Sequence, residues 1–356
     1  MVAKKEVKVL YIVESFSTGV YAIARDIACN LDRDRFTVHI LHSLREDSPT
    51  TIEKDFNQNN ITLSYIPMGS LKTYPSAVKA IREHIRTFSP DVIHLHSSKA
   101  GVLGRLAVQR KAETPVLYSP HGFSFLREDV GAVKRWLFLA IEKMIQQWRP
   151  ARIIAVSDGE AVHARSITSE VTTINNFICT EQFTAHQDRE GTYIVTCGRI
   201  SPQKNPILFN EIAQKTPREQ FMWIGDGPLR DQLTAANITV TGLLPRTEAM
   251  RKVMEAKFYI QTSLWEGMPV SILEAMAAGK AVVATDIVGN RDLIKNGTTG
   301  LLCDPHSSKE CVRHIETLCA SQDLRRVYGE AAAGYVQAHH SLKGAIKSYE
   351  SLYRKR

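Results

Sequence analysis

Residues 258–286 have the sequence FYIQTSLWEGMPVSILEAMAAGKAVVATD, in which two short apolar runs flank one helical stretch. The runs FYIQTS and AVVATD are apolar at successive positions, which predicts strands buried on both faces. The stretch PVSILEAMAAG between them is typical of a helix. Strands of this kind that are separated by a helix indicate a parallel sheet covered on both sides.

The same alternation continues in both directions from this segment. Strands are predicted at 7–14, 36–43, 91–97, 115–121, 152–157, 193–199, 220–225, 238–242, 258–263 and 281–286. Helices are predicted at 21–31, 75–90, 101–110, 206–215, 227–236, 247–257 and 269–279. This order of elements predicts two doubly wound α/β domains in tandem.

The domain boundaries follow from a polar stretch in the middle of the chain. TAHQDREG, residues 184–191, separates the two runs of alternation, and we interpret it as a linker. The first domain is then 1–183 and the second 192–340, with a terminal helix at 341–356 that we expect to pack back on the first domain. Because doubly wound sheets bind ligands at the carboxyl ends of their strands, the cleft between the domains is the default site.

Composition and charge exclude several classes of protein. The chain has 356 residues, of which 44% are hydrophobic and 23% charged, as in ordinary globular proteins of two domains. No apolar run approaches the ~20 residues that span a bilayer, and the N-terminus lacks a cleavage site, so we expect a cytoplasmic protein. The net charge of +8 is spread over both halves. This distribution argues against nucleic acid as a partner and favours anionic small molecules or an anionic membrane surface.

The six cysteines show no metal-binding or redox pattern. They form no C-x-x-C pair and no Cys/His cluster with zinc spacing. We therefore expect reduced, buried thiols, including Cys303, Cys311 and Cys319, which recur every eight residues.

A loop with two cations follows the first strand of the second domain. It has the sequence GRISPQKN, residues 198–205, in which Gly198 allows a sharp turn and Arg199 and Lys204 place positive charge at the strand's carboxyl end. A helix beginning near Pro206 would point its positive N-terminus the same way. The arrangement suits a diphosphate, although a solvated loop with incidental charges explains it equally well.

Two carboxylates bracket the start of the helix in the opening segment. Glu266 lies in the preceding loop, and Gly267 and Pro269 open the helix, so the backbone N–H groups of 267–270 are available to an anion. Glu274 lies inside the helix among apolar residues. A carboxylate in such surroundings needs a partner, and the vicinal hydroxyls of a ribose would provide one.

These motifs occur in the order found in family 4 retaining glycosyltransferases. The E-x7-E spacing of Glu266 and Glu274, the G-R-x4-K loop and the IGDGP turn at 224–228 together resemble that family, over essentially the whole chain. The resemblance implies the GT-B fold, in which two doubly wound Rossmann-like domains face each other across a cleft. The first domain would bind the acceptor and the second the nucleotide sugar.

The resemblance also implies an enzyme without a metal or other cofactor, because fixed cations take over the charge-stabilising role of a metal. Asp32 and Asp34 have the D-x-D pattern of metal-dependent transferases, but they follow a helix end in a turn. We do not expect them to bind a metal.

The resemblance assigns roles to individual residues. Arg199 and Lys204 would neutralise the leaving diphosphate, Glu266 would contact the donor sugar, and His121 would meet that sugar near its 6-position. Glu274 would bind the ribose. The full set of implied donor contacts is Gly19, Gly198, Gly225, Asp226, Gly227, Leu243, Gly267, Met268, Pro269, Val270 and Glu274.

The first domain departs from the family pattern at one glycine and offers less specific candidates. The family often has two adjacent glycines where Thr18 and Gly19 stand, so the phosphate contact of Gly19 has weaker support. His121 also fits a structural loop histidine. His94, His96 and Phe123 are candidates for acceptor binding, and packing explains the two strand histidines equally well.

A basic segment with tryptophans, residues 134–152, admits two interpretations. A basic amphipathic helix that carries Trp136 and Trp148 can rest in a membrane interface. Alternatively, its Trp, Leu and Phe side chains pack on the first sheet. The first interpretation predicts a peripheral protein on the inner face of the membrane.

The resemblance implies transfer of a hexosyl or N-acetylhexosaminyl unit from a nucleotide sugar, UDP-linked, to a sugar hydroxyl of a glycan or lipid-linked glycan. The anomeric configuration would be retained. Two alternatives share the architecture: an isomerase similar to UDP-N-acetylglucosamine 2-epimerase, and a non-catalytic subunit that binds sugar nucleotides. An isomerase needs acid and base residues at the sugar and no acceptor.

Overall fold

The computed structural model of the protein describes residues 6–56, 60–183 and 191–355. The chain divides into two compact units. Unit 1 consists of Met1–Leu126, Gly131–Asn175 and Lys343–Arg356, and unit 2 consists of Arg127–Val130 and Asn176–Leu342. The predicted linker at 184–191 lies, except for Gly191, outside the described residues.

Unit 1 is built on a parallel sheet. Its strands are β1 (Val7–Val13), β2 (Phe36–His42), β3 (Ile61–Tyr65), β4 (Val92–His96), β5 (Val116–Ser119), β6 (Arg152–Ala155) and β7 (Val171–Thr173). They are arranged in the order β3-β2-β1-β4-β5-β6-β7, with all neighbours parallel. Residues 9–13 of β1 have no exposed surface, because the central strands are covered on both faces.

The helices of unit 1 connect these strands. They are α1 (Thr18–Asn30), α2 (Ile52–Asp55), α3 (Tyr74–Phe88), α4 (Ser98–Ala107), α5 (Ala132–Trp148) and α6 (Asp158–Arg165). The strand order reverses between β1 and β4, which places the switch point of the sheet at their carboxyl ends.

Unit 2 repeats the same plan. Its strands are β8 (Tyr193–Cys197), β9 (Gln220–Ile224), β10 (Ile238–Val240), β11 (Phe258–Gln261), β12 (Val282–Thr285) and β13 (Leu301–Cys303). They form a parallel sheet in the order β10-β9-β8-β11-β12-β13. Its helices are α7 (Pro206–Lys215), α8 (Arg246–Met254), α9 (Val270–Ala277), α10 (Asn290–Leu293), α11 (Ser308–Ala320) and α12 (Gln322–His339).

The last helix of the chain, α13 (Leu342–Arg354), packs on the sheet of unit 1. The hydroxyl of Tyr353 lies 2.8 Å from that of Tyr11 on β1 and 2.8 Å from Nδ1 of His94 on β4. The backbone N–H of Asp32 donates to Oε1 of Glu350 at 3.0 Å. These contacts tie the chain's end to the centre of the first sheet.

Helix α5 buries polar residues and exposes apolar ones. Its buried side chains are those of Glu142, Ile145 and Gln146. The buried Arg105 of α4 donates to Glu142 at 3.0 Å and to Gln146 at 3.1 Å, so this polar network holds α5 to its neighbour. The large exposed apolar residues of α5 are Val133, Trp136, Leu137, Met144 and Trp148. The alternative in which the tryptophan face packs on the sheet is therefore wrong.

The predicted helix at 227–236 is also wrong. The chain there forms only a short 3-10 turn at Arg230–Gln232. The reason lies in a neighbouring side chain: Oδ1 of Asn210, on α7, accepts hydrogen bonds from the backbone N–H groups of Thr234 and Ala235 at 2.8 Å each. These two N–H groups are thereby used outside a helix.

One cysteine pair differs from the expectation of reduced thiols. Cys303, the last residue of β13, forms a disulfide with Cys311 in α11. The short connection between strand and helix turns the chain back on itself, and the two Cα atoms lie 5.4 Å apart, within the span of a disulfide. The eight-residue spacing alone did not indicate this reversal.

Candidate active site

The loops that follow β8 and β9 interlock through glycines at the carboxyl edge of the sheet in unit 2. Gly198 and Gly225 have φ angles of +149° and +141°, which side chains rarely tolerate. A Cβ at Gly225 would lie 2.2 Å from the carbonyl oxygen of Gly198, and one at Gly227 would lie 2.3 Å from that of Ile200. The glycines of the two sequence motifs therefore let the loops touch.

Lys204 and Glu266 form an ion pair at this edge. Lys204 ends a 3-10 turn in the loop after β8, and its Nζ lies 2.6 Å from Oε1 of Glu266. Glu266, in the loop after β11, is buried. The pair brings together two residues that lie 62 positions apart in the chain.

Three further donors surround the Glu266 carboxylate. Nε2 of Gln261 donates to Oε1 at 3.2 Å, and Oγ of Ser263 donates to the same atom at 2.8 Å. Nε2 of Gln203 donates to Oε2 at 3.1 Å. With four donors in place, the orientation of the carboxylate is fixed. These three polar residues were not identified from the sequence, although all of them lie next to a predicted motif.

Gln261 extends this network to helix α9. Its Oε1 accepts hydrogen bonds from the hydroxyls of Ser271 in α9 at 3.0 Å and of Tyr259 in β11 at 3.1 Å. The carboxylate loop and the start of the helix are thus parts of one hydrogen-bonded unit. A polar residue at the end of an apolar strand was the available sequence signal.

Glu274 pairs with an arginine that the sequence motifs did not include. NH2 of Arg246, the first residue of α8, lies 2.6 Å from Oε1 of the buried Glu274. A partner for this carboxylate was expected because of its apolar helix, and Arg246 supplies it.

Members of both ion pairs, namely Lys204, Arg246 and Glu274, affect the pKa of the same thiol. Burial, and next the negative charge of Glu274, raise the pKa of Cys197 to about 12, while Lys204 and Arg246 act in the opposite direction. Cys197 ends β8, so its surroundings show that both pairs lie near the carboxyl end of the central strand of this sheet.

The loop that opens α9 is held on two sides. Gly267, Met268 and Pro269 are buried, and the carbonyl oxygen of Met268 accepts a hydrogen bond from Nδ2 of Asn176 at 2.7 Å. A Cβ at Gly289, which has a φ of +86°, would lie 2.5 Å from the carbonyl oxygen of Gly267. The first N–H groups of α9, beginning at Val270, have no partner within the helix and are suited to an anion.

The remaining predicted residues of unit 2 lie in the loops that follow β8, β9 and β10. Asp226 follows Gly225, and its carboxylate accepts hydrogen bonds from the Gly227 N–H and from Arg230, both at 2.8 Å. Leu243 is exposed, and Arg199 is partly buried directly after Gly198. Unit 2 thus brings together the predicted cations, both carboxylates and the predicted donor-binding loops.

His121 belongs to a different cluster, in unit 1. It follows β5 with a φ of 54° and is partly buried. Its Nε2 lies 3.0 Å from Nδ1 of His96. Burial lowers the pKa of His121 to about 4 and that of His94 to about 3, so both rings are neutral near pH 7.

The three residues expected to bind the acceptor are fully buried. His94, His96 and Phe123 each have no exposed surface. His94 contacts Tyr353 at 2.8 Å and Ser119 at 2.9 Å. Any effect of these side chains on an acceptor would be exerted through the residues that they contact.

Unit 1 contains the predicted Gly19 and also a charged cluster that the sequence did not reveal. Gly19 is in the first turn of α1, which follows β1. Glu14, directly after β1, is buried and pairs with Arg45 at 2.6 Å and with Lys99 at 3.1 Å. Lys99 is in α4, so the cluster lies at the switch point between β1 and β4.

Metal clusters and membrane-spanning helices are absent from the part of the chain that the structure describes. In residues 6–56, 60–183 and 191–355 no group of three His, Cys, Asp or Glu side chains could hold a metal ion. Asp32 pairs with Arg35 at 2.9 Å and accepts from the Asp34 N–H at 3.1 Å. Within the same ranges, every helix is too short or too polar to cross a membrane.

Two family models match the chain. Residues 18–172 match the glycosyl transferase 4-like domain, and residues 180–334 match the glycosyl transferases group 1 model. Together the two matches span most of the chain. The protein belongs to the group 1, family 4 type of glycosyltransferases, and it is an enzyme of the transferase class.

A curated relative and two solved structures are similar to this chain. The Escherichia coli UDP-Gal:alpha-D-GlcNAc-diphosphoundecaprenol alpha-1,3-galactosyltransferase is 26% identical over 312 residues, 77% of this chain and 78% of that protein. Sucrose-phosphate synthase from Thermosynechococcus elongatus has a TM-score of 0.84 at 17% identity, covering 98% of this chain and 99% of that one. Anabaena HepE in complex with UDP-glucose has a TM-score of 0.81 at 18% identity, with the same coverage.

The structural likeness concerns the fold. The predicted fold class, two doubly wound Rossmann-like α/β domains of the GT-B type, is confirmed by the two parallel sheets and by these neighbours.

Proposed function

We propose that this glycosyltransferase moves a hexosyl or N-acetylhexosaminyl unit from a UDP-sugar to a sugar hydroxyl, with retention of the anomeric configuration. The observation that carries the proposal is the Lys204–Glu266 ion pair, hydrogen-bonded through Gln261 to the start of α9. It combines a cation, a sugar-binding carboxylate and a helix N-terminus at one sheet edge. A cation and a helix N-terminus can bind the diphosphate, and a carboxylate can accept hydrogen bonds from the sugar hydroxyls.

The proposed chemistry is transition-state stabilisation by fixed charges. Charge develops on the diphosphate as the bond to the sugar breaks, and Arg199 and Lys204 neutralise it together with the N–H groups that open α9. No carboxylate of the described site is placed as an obvious covalent nucleophile. The oxygen of the acceptor hydroxyl bonds to the anomeric carbon on the face from which the diphosphate departs, and the diphosphate accepts the proton of that hydroxyl. Because attack and departure take place on the same face, the configuration is retained.

Metal independence belongs to the proposal. The cations named above take the charge-stabilising role that a divalent metal has in other transferases. Activity should therefore persist in excess EDTA.

The donor half of the proposal places the ribose at Glu274. Its carboxylate is held by Arg246 within the same edge and can accept hydrogen bonds from vicinal hydroxyls. Gly225, Asp226, Gly227 and Leu243 would shape the base pocket. A uracil base is supported by the Anabaena structure, which contains UDP-glucose, and by the Escherichia coli relative, which uses UDP-Gal.

A lipid-linked glycan is the proposed acceptor. The Escherichia coli relative acts on a sugar attached to diphosphoundecaprenol. Helix α5 of this chain exposes Trp136, Met144 and Trp148 while it buries Glu142 and Gln146. That inverted polarity fits a helix that rests in the interface of an anionic membrane.

We place this activity in the cytoplasm, at the inner face of the membrane. The exposed face of α5 is the support for the membrane contact. The Cys303–Cys311 disulfide is the observation against a reducing compartment, where such bonds are rare.

One assay tests the class of reaction. The purified chain is incubated with a panel of UDP- and GDP-sugars, and hydrolysis and thermal stabilisation are measured for each. UDP-sugars should be preferred. The preferred donor is then supplied with a membrane extract or with synthetic polyprenyl diphosphate sugars, and the anomeric configuration of the product is read by NMR.

The alternatives give different results in this assay. An isomerase would release an epimer of the donor sugar without an acceptor, and the family match does not favour it. A non-catalytic subunit would be stabilised by the nucleotide sugar but would turn over none. A product of inverted configuration would contradict the retaining mechanism.

A further inference from the structure

Two histidine rings are in direct contact in unit 1. Nδ1 of His96, on β4, lies 3.0 Å from Nε2 of His121, in the loop after β5. The rings are nearly parallel, at 14°, with centroids 5.3 Å apart. His96 is fully buried, and its other nitrogen, Nε2, has no hydrogen-bond partner among the described residues.

Nε2 of His96, the nitrogen without a partner, allows us to choose between two arrangements of the protons on the His96 and His121 rings. Burial lowers the pKa of His121 to about 4 and keeps that of His96 well below its ordinary value, so each neutral ring carries one N–H. If His121 donates, the proton of His96 must lie on Nε2, where it is a buried donor without an acceptor. If His96 donates from Nδ1, its Nε2 carries only a lone pair. Orphaned buried N–H groups are the rarer case.

We propose that His96 is a positioning residue: its Nδ1–H donates to Nε2 of His121 and holds His121 in the tautomer whose proton is on Nδ1. His121 then presents an N–H donor at its remaining nitrogen. The ligand atom that it recognises is an acceptor oxygen, such as a hydroxyl oxygen of the transferred sugar. This last step rests on the proposed function, whereas the tautomer does not.

The surrounding structure fixes the pair in place. The ring of His94 lies against that of His96, tilted by 36° with the centroids 4.0 Å apart, and is itself held by Tyr353 and Ser119. Oε1 of the buried Glu160 accepts the N–H of Gly122 at 2.6 Å, which holds the turn directly after His121. The backbone of His121, with a φ of 54°, adopts a left-handed conformation that is sparsely populated for residues other than glycine. Such strain persists only where the surrounding structure enforces it.

NMR of the full chain labelled with 15N-histidine measures the tautomer directly, without nucleotide sugar. Long-range 1H–15N spectra should show His121 with its proton on Nδ1. The matched variants are His96→Asn, whose amide N–H can replace Nδ1–H, and His96→Leu, which has nearly the same shape and no donor. The Asn variant should keep the His121 spectrum, and the Leu variant should shift it toward the other tautomer.

Kinetics with the donor found above give a second readout. His96→Leu should lower kcat/KM roughly tenfold, the order expected for one lost hydrogen bond, and His96→Asn should restore most of it. A proton on Nε2 of His121 in the wild-type spectrum would overturn the proposal, as would equal spectra in the two variants. The wild-type spectrum alone decides the tautomer if the Leu variant does not fold. If the spectrum shows the expected tautomer but the chain transfers no sugar, the proposed function is wrong, whereas the positioning role of His96 is retained.

Discussion

The ammonium group of Lys204 lies 2.6 Å from Oε1 of Glu266. Glu266 also accepts three further hydrogen bonds, so its carboxylate does not depend on Lys204 alone for its orientation. In the proposed function, part of the charge of Lys204 acts on the diphosphate while Glu266 keeps its orientation toward the sugar. We therefore expect the pair to act as a preorganised electrostatic site rather than as a stabilising surface contact.

Replacing Lys204 by alanine should reduce kcat by about 10² to 10³, the usual cost of losing one fixed group that stabilises transition-state charge. Lys204→Arg keeps the charge but changes its geometry, so it should recover only part of the rate. Initial rates at saturating donor and acceptor measure both effects.

A matched control is Lys215→Ala in the same unit. Lys215 lies on the surface, where it pairs with Glu211 at 2.6 Å, and its loss should leave the rate unchanged. A Lys204→Ala enzyme with near-normal turnover would contradict the assigned role.

Glu274→Gln should raise KM for the nucleotide sugar by roughly 10- to 100-fold with a smaller change in kcat. The reason is that hydrogen bonds from a ribose to a charged group contribute about 1.5–3 kcal/mol and are present both in the bound substrate and in the transition state. Calorimetric titration with UDP, together with steady-state kinetics, measures the effect.

The control for this change is Glu255→Gln, which removes an exposed carboxylate that pairs with Arg251 on α8. It should leave KM unchanged. Equal KM values for Glu274→Gln and the wild type would remove Glu274 from the donor site.

The fold could be predicted because its information is local. Apolar runs such as residues 9–13 of β1 and the helix around Glu274 show their structure in consecutive residues. Strands β3, β7 and β13 were missed, and all three lie at sheet edges. β3 and β7 are only partly buried, so their sequences are less apolar, and β13 has only three residues.

The partners within the site could not be predicted because they depend on long-range contacts. Arg246 lies 28 positions before Glu274, and Gln203 lies 63 positions before Glu266. Arg246 lies outside the sequence motifs, and Gln203 lies inside the loop at 198–205 but is not one of its glycines or cations. The importance of Gly289 could not be predicted for the same reason. A side chain at this position is excluded only because its loop packs against Gly267.

Gly289→Ala should lower both the melting temperature and the affinity for the donor. Its added Cβ would lie 2.5 Å from the Gly267 carbonyl oxygen, so the loop that opens α9 would have to move. Overlap of this kind costs about 1–3 kcal/mol. Thermal unfolding and UDP titration measure the two effects.

Comparison with the variant Gly297→Ala separates the effect of atomic overlap from the effect of backbone strain. Gly297 has a φ of +76°, close to the +86° of Gly289, but a Cβ added there would have no neighbouring atom within 4 Å. Both variants carry the strain of a left-handed alanine, and only Gly289→Ala should weaken donor binding. Equal losses of affinity would show that the Gly267 contact does not position the loop.

Reducing the Cys303–Cys311 disulfide should destabilise unit 2. For a sequence separation of 8, the chain-entropy relation gives about 2.5 kcal/mol. Thermal unfolding with and without a strong reductant should show a lower melting temperature in the reduced protein. The double variant Cys303→Ser, Cys311→Ser should melt at the same temperature in both conditions. A wild-type protein unaffected by the reductant would show that the bond does not contribute.

Replacing Trp136 and Trp148 together by alanine should abolish most binding to vesicles that contain anionic phospholipid. Both side chains are about half exposed or more, on a helix whose polar residues Glu142 and Gln146 face the interior. Each buried indole contributes about 1.5–3 kcal/mol to interfacial binding, so the double variant should bind at least roughly a hundredfold more weakly. Co-sedimentation at low salt measures the loss.

The control replaces Val162, an exposed apolar residue of α6 in the same unit, by alanine. It tests whether any exposed hydrophobic residue would have the same effect, and its binding should match that of the wild type. Lys134→Gln with Lys143→Gln should weaken binding to anionic vesicles and leave the weaker binding to neutral vesicles unchanged, because the lysines act through lipid charge. Wild-type protein that fails to sediment with anionic vesicles even at low salt would exclude a membrane role for α5, and the acceptor would then have to be sought among soluble glycans.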